Sequence, residues 1–250
     1  MRAPWIGTAR LPYPEIPLAV RMGIERALRW AWEELRREPN GTAPDPRAAS
    51  EDEITEYLQR RLNTLERGKP VVCRFAASLL ESVQRGGNYK NYSGSSIKRA
   101  PDLVFRPAII PPGVAVTTDY AFFVECKIVG GSFPVARYLA NGLRRFVAGD
   151  YAWAMRSALM VAYARDGAEV ATALAIRLKD RRYRTRARPA PRPDDDGALP
   201  RTLISVHARP LKHPPSGQKL GDIEVAHLWL PVGPAAGERV AVGKRCRRRR

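Results

Sequence analysis

Cysteine is scarce in this chain of 250 residues: there are three, Cys73, Cys126 and Cys246, far apart and with no CxxC pair. That usage excludes a disulfide framework and a cysteine-built zinc site, and it fits a reducing compartment. Histidine is equally sparse. His207, His213 and His227 have no ligand spacing with one another or with cysteine, so they read as core or surface residues rather than metal ligands. No apolar run approaches the ~20 residues needed to cross a bilayer. Pro4, Pro12, Pro14 and Pro17, together with Arg2 and Arg10, interrupt any signal-peptide core. These absences predict a cytoplasmic protein with no membrane partner. Acidic residues are also few, 25 Asp and Glu against 43 Lys and Arg, which leaves a net charge of +18. A field of that sign favours a polyanionic partner. With no basic amphipathic helix carrying an aromatic face, nucleic acid is favoured over a membrane surface.

Against this background two apolar segments stand out, residues 99–105 and 120–129. Both are rich in β-branched and aromatic residues and read as buried strands, because a strand covered on both faces shows a continuous apolar run. Into the second run the sequence inserts Glu125 and Lys127, which strand alternation places on one face while Cys126 points to the other. A carboxylate and an ammonium in an apolar strand are costly to bury without partners or purpose. Asp102, behind Pro101 at the start of the preceding strand, joins them if the two strands pair antiparallel.

Pro101-Asp102 followed by Glu125-Cys126-Lys127 resembles the signature of the PD-(D/E)xK nucleases, the restriction-endonuclease-like superfamily. The resemblance covers about residues 50–165. It implies an α/β fold with a mixed-sheet core that runs helix, three antiparallel strands, helix, strand, with an acid on the first helix. It also implies a Mg²⁺-dependent nuclease in which Mn²⁺ can substitute. Asp102, Glu125 and the backbone carbonyl of Cys126 would hold the metal, Lys127 would orient water and neutralise developing charge, and Glu53 would be the helix acid that joins catalysis and metal binding. The chemistry is sound on its own terms. A phosphodiester repels nucleophiles and has a poor leaving group, and a divalent metal on hard oxygen ligands answers both difficulties. DNA is favoured over RNA as substrate. Restriction, phage defence and repair are compatible settings, and a homodimer or a partner subunit could supply specificity. The competing readings are a catalytically inactive nucleic-acid-binding module of the same fold and a ribonuclease.

Along the chain, residues 1–49 read as a helical extension with a linker, its helix over 18–37. The core spans 50–181. Ser50 and Glu53 have capping-box spacing, and Ile54, Leu58 and Leu65 mark the apolar face of the next helix, with Glu53 on its shoulder and Glu56 turned away. A strand is expected within 71–85, either 71–75 or 79–83. A polar loop over 86–96 follows, and Lys98 and Arg99 next to it suit phosphate contact. A helix over about 135–147 carries Asn141, Arg144 and Arg145, candidate backbone contacts, and residues 158–164 make the next strand. Residues 182–201 read as a basic, proline-rich linker, 202–232 as an antiparallel strand pair that extends the sheet, and 233–250 as a basic tail.

Overall fold

The computed structural model describes residues 11–37, 43–67, 72, 74–95, 100–165, 170–192, 202–214 and 216–233. Helix α1 (Leu18–Arg37) buries Ile24, Leu28, Ala31, Trp32 and Leu35, a stripe at helical spacing. Helix α2 (Glu51–Arg67) does the same with Ile54, Leu58, Leu62 and Leu65. The strands are β1 (Leu103–Phe105), β2 (Phe122–Val129), β3 (Ser157–Ala164), β4 (Thr185–Pro191), β5 (Thr202–His207) and β6 (Ile223–Pro231). Between β2 and β3 the chain forms short helices α3 (Val135–Tyr138) and α4 (Arg144–Ala148), joined by a π-helical turn over Leu139–Leu143. Helix α5 (Val170–Arg177) follows β3.

The six strands form one open sheet in the order β1-β2-β3-β6-β5-β4. β1 and β2 are antiparallel, β2, β3 and β6 run parallel, and β5 and β4 return antiparallel. β3 is buried along its whole length, as its unbroken apolar sequence demands. Helices cover both faces. Trp32 of α1 stacks on Tyr163 with ring centroids 5.5 Å apart, and Thr55 of α2 hydrogen-bonds the same tyrosine hydroxyl at 2.9 Å. Three residues back along β3, on the other face, Met160 packs against the π-turn at Gly142.

Several expectations need correction. Among the described residues the strand sought within 71–85 is reduced to two isolated bridges, Leu80 with Pro107 and Gln84 with Val104, so residues 80–84 only brush the edge of β1, and residues 71 and 73 of the alternative over 71–75 lie outside those described. The helix over 135–147 is interrupted by the π-turn. Residues 185–191, assigned to a linker, form β4, because alternate small residues let Thr185–Pro191 pair with β5 in spite of two register shifts. The C-terminal strands do extend the sheet, but β6 lies in its interior. The N-terminal helix is likewise part of the core and no appendage: Trp32 donates its indole N–H to Pro231 O at 2.9 Å, tying α1 to the end of β6. The remainder of the expected linker, 193–201, and the basic tail lie outside the described residues.

Candidate active site

β1 is short, and its late start leaves part of β2 unpaired on that edge. β1 and β2 pair from Leu103 opposite Val124 to Phe105 opposite Phe122, so beyond Val124 no strand among the described residues pairs with the β1 side of β2. Backbone N–H groups on that open edge need acceptors when buried. Carboxylates supply them: Cys126 N donates to Asp102 Oδ2 at 2.6 Å, and Ile128 N donates to Glu51 Oε2 at 3.3 Å. Two acids thus stand where a longer strand would have continued the ladder.

The same notch collects charge. Lys127 Nζ lies 2.7 Å from Glu51 Oε1, 3.3 Å from Asp102 Oδ2, 2.9 Å from Glu125 Oε1 and 2.6 Å from the carbonyl oxygen of Cys126. Glu125 is wholly buried. Arg145 donates to its Oε1 at 2.8 Å and the Tyr151 hydroxyl donates to its Oε2, so both oxygens are fixed. Gly142 makes room for this carboxylate: a Cβ there would meet the Met160 methyl at 2.3 Å and Glu125 Cγ at 3.4 Å. The π-turn that carries Gly142 is a widening of helical geometry often found at functional sites.

Burial and the neighbouring Asp102 charge push the Glu125 carboxyl up to about 7, against the pull of Lys127, Arg145 and Tyr151. Burial alone would lower Lys127, but the carboxylates of Glu125, Asp102 and Glu51 outweigh it, and its ammonium is held well above the usual lysine range. Burial first, then Glu125, raises the Tyr151 phenol, which therefore stays a proton donor at neutral pH. The Cys126 thiol faces away from the cluster, and burial keeps it protonated.

Asp102, Glu125, Lys127 and the Cys126 carbonyl are therefore brought together as the strand reading anticipated. Glu53 is not with them. Its carboxylate accepts from the Ser50 amide and hydroxyl, both at 2.7 Å, while Glu53 N donates to Ser50 Oγ at 3.2 Å. That reciprocal capping box holds Glu53 at the surface and lowers its pKa. The helix acid at the cluster is Glu51. Its position was legible, because 51, 54, 58 and 62 share one helical face, and the capping box already engages Glu53. Tyr151 had no sequence signal. Glu56 is half-buried and paired with Arg60. Arg145 is turned onto Glu125, whereas Asn141 and Arg144 are exposed. Lys98 and Arg99 lie outside the described residues.

Arg165, the first residue past β3, donates to the carbonyls of Pro46 and Ala49 and so pins the segment that leads into α2 and Glu51. Among the described residues no group of acids, histidines or cysteines is spaced ready-made as a metal cage. The three carboxylates and one carbonyl converge on an ammonium instead, a monovalent cation standing where hard oxygen donors could surround a divalent one. His207 and His227 are buried and hydrogen-bonded to Ser205, and His227 sits on β6 in the same row as Glu125 with Met160 between them, while His213 stacks on Trp153 at 5.1 Å. No helix among the described residues is long and apolar enough to cross a membrane. No protein-family model, curated protein or solved structure matches the chain.

Proposed function

We propose that the protein is a metal-dependent nuclease of the PD-(D/E)xK type, hydrolysing DNA phosphodiester bonds at the β1-β2 notch. The observation that carries this reading is the convergence of Glu51, Asp102, Glu125 and the Cys126 carbonyl on one cationic position. The order α2, β1, β2, α3 to α4, β3 supports the reading in part: it matches the element order the resemblance implies except for the first of the three antiparallel strands, where two isolated bridges stand.

Three carboxylates against Lys127 and Arg145 leave a deficit of positive charge when all are ionised, which a bound divalent cation would fill. Glu51, Asp102, Glu125 and the Cys126 carbonyl would hold Mg²⁺ or Mn²⁺, which supplies polarisation of a phosphoryl oxygen and lowers the pKa of water. Lys127 would orient water and offset charge developing at the scissile phosphate. Arg145 and Tyr151 keep Glu125 in the single orientation that binding needs. Asn141 and Arg144, exposed on the same helical segment, contact the nucleic-acid backbone.

One observation favours a second reading. The Lys127 ammonium already donates to Glu51, Asp102 and the Cys126 carbonyl and pairs with Glu125, which is the state expected of an inactive nucleic-acid-binding module that has no use for a metal. Incubation with plasmid, single-stranded DNA and RNA in Mg²⁺, Mn²⁺ or EDTA separates the readings. The nuclease reading expects cleavage with either cation, none in EDTA, and loss in Asp102→Ala. Binding without cleavage in any cation supports the inactive module, and cleavage of RNA alone makes the protein a ribonuclease.

A further inference from the structure

A second charged site lies away from the carboxylate notch, between the start of β4, the end of β5 and the loop 208–222. It is a cavity of about 630 Å³ lined by Arg184, Arg186, Arg209, Lys212 and Lys219, with Asp222 as its one acid. Lys212 and Lys219 are bridged across a small antiparallel turn, which sets both ammonium groups on one rim. Arg184 has φ of +50°, an uncommon conformation for a side-chain-bearing residue, held by the Ala208 amide donating to its carbonyl at 2.9 Å.

Arg209 forms the floor and is 3% exposed. Its guanidinium donates to Met155 O at 2.8 Å, to Gly221 O and Ala152 O at 3.1 Å, and to Leu220 O at 3.3 Å. All its hydrogen-bond partners are neutral carbonyls. Burial lowers its pKa to about 10, which leaves it charged at neutral pH. A buried cation is ordinarily paired with an anion. Asp222, on the exposed rim 3.6 Å from Arg186, is the acid within electrostatic reach of Arg209 and partly offsets its burial.

We propose that this cavity is a second phosphate-binding site that holds the backbone of the nucleic acid whose cleavable bond lies in the notch. The lining has no aromatic or large aliphatic side chain, so it offers no apolar wall to an acyl chain. Its several cations suit phosphates, contacts that position a polymer without reading its sequence. The route between the two sites is basic as well. Arg182, Arg177 and Arg144 all lie within electrostatic reach of the Tyr183 hydroxyl, next in sequence to Arg184. Arg144 in turn adjoins Arg145, which binds Glu125. A second link is covalent: Tyr151 touches Glu125 and the next residue, Ala152, gives its carbonyl to Arg209. The notch lies at the β1-β2 edge of the sheet and the cavity at its β5-β4 edge, with β3 and β6 between them.

The inference rests on the nucleic-acid half of the proposed function and not on cleavage, so it is tested in EDTA. Anisotropy of a labelled DNA duplex is measured at several salt concentrations for wild type, for Lys212→Ala/Lys219→Ala and for Arg60→Ala, a control that removes one exposed charge on α2. All three positions are exposed, so a thermal melt verifies that folding is retained. Each phosphate contact contributes about 0.9 to the slope of log affinity against log salt. The double variant is expected to lose about 1 to 2 from that slope and roughly tenfold in affinity at 50 mM salt, with Arg60→Ala unchanged. Equal slopes for wild type and the double variant overturn the proposal, as does absence of duplex binding by the wild type. So does loss of binding to phosphatidylglycerol vesicles alone, which would make the cavity a lipid-headgroup site. A reduced slope in a protein that never cleaves keeps the cavity and removes the nuclease. Cleavage with equal slopes does the reverse.

Discussion

Glu51 and Glu53 are two residues apart on one helix, yet their environments assign them opposite tasks. Glu51 bridges the Lys127 ammonium and the Ile128 amide, whereas Glu53 closes the capping box with Ser50. Glu51→Gln is therefore expected to lower Mg²⁺-dependent cleavage by about 10²-fold or more, the scale of a lost electrostatic contact in an active site. Glu53→Gln should leave turnover intact and slightly lower the melting temperature, which parallel turnover and melting assays decide. Glu125 gives a pH prediction. Its carboxyl titrates near 7 in the folded protein against an ordinary value of 4.5, so the folded state holds the proton more tightly. As pH rises from about 4.5 to 7 the unfolded chain ionises first, and the stability carried by the protonated form is lost across that window. Glu125→Gln should then be nearly neutral at pH 4 and stabilising at pH 8, by at most about 3 kcal/mol. Urea unfolding at the two pH values reads the difference.

Among the elements, β5 and β6 hold a polar chain inside an apolar layer. His207 Nδ1 donates to Tyr183 O at 2.6 Å, which leaves its Nε2 to accept from Ser205 Oγ at 2.7 Å. Ser205 Oγ then accepts from His227 Nε2 at 2.7 Å, and His227 Nδ1 accepts from the Tyr138 hydroxyl at 2.9 Å. One tautomer of each ring satisfies every group. Adding a proton breaks the chain, and burial accordingly lowers His207 to about 4 and His227 to about 3. The unfolded chain gains both protons near pH 6.5, so this contribution to stability is full above that pH and falls as pH drops toward 4. Two protons cost about 2.7 kcal/mol per pH unit, and Glu125 returns about half of it in the same window. Wild type should lose roughly 1.4 kcal/mol between pH 6 and 5 and Glu125→Gln about twice that, as denaturant midpoints at the two pH values would show. Alternation along β5 and β6 left these histidines as core or surface residues. It could not decide between the two, because their partners include Tyr138 and Tyr183, distant in sequence.

Across the whole molecule, what the sequence disclosed was local or periodic. The β1-β2 hairpin, the clustering of Asp102, Glu125 and Lys127, both N-terminal helices and the C-terminal strand pair were legible from apolar runs and alternation. The placement of β6 inside the sheet depends on its parallel pairing with β3, and the cavity floored by Arg209 depends on carbonyls from residues 152–155, contacts that no spacing encodes. The short reach of β1, which opens the notch, was by contrast legible, since Pro101 has no amide hydrogen with which to continue the ladder. The central claim is that this notch exchanges the Lys127 ammonium for a divalent cation. Titration of the protein with Mn²⁺, followed by the electron paramagnetic resonance of the free ion, tests it directly. Binding by wild type, its loss in both Asp102→Asn and Glu51→Gln, and a fall of about tenfold in affinity per pH unit below 7 as Glu125 takes up its proton are the predicted results. Mn²⁺ binding that is absent in wild type, or equal in wild type and Asp102→Asn, would contradict it.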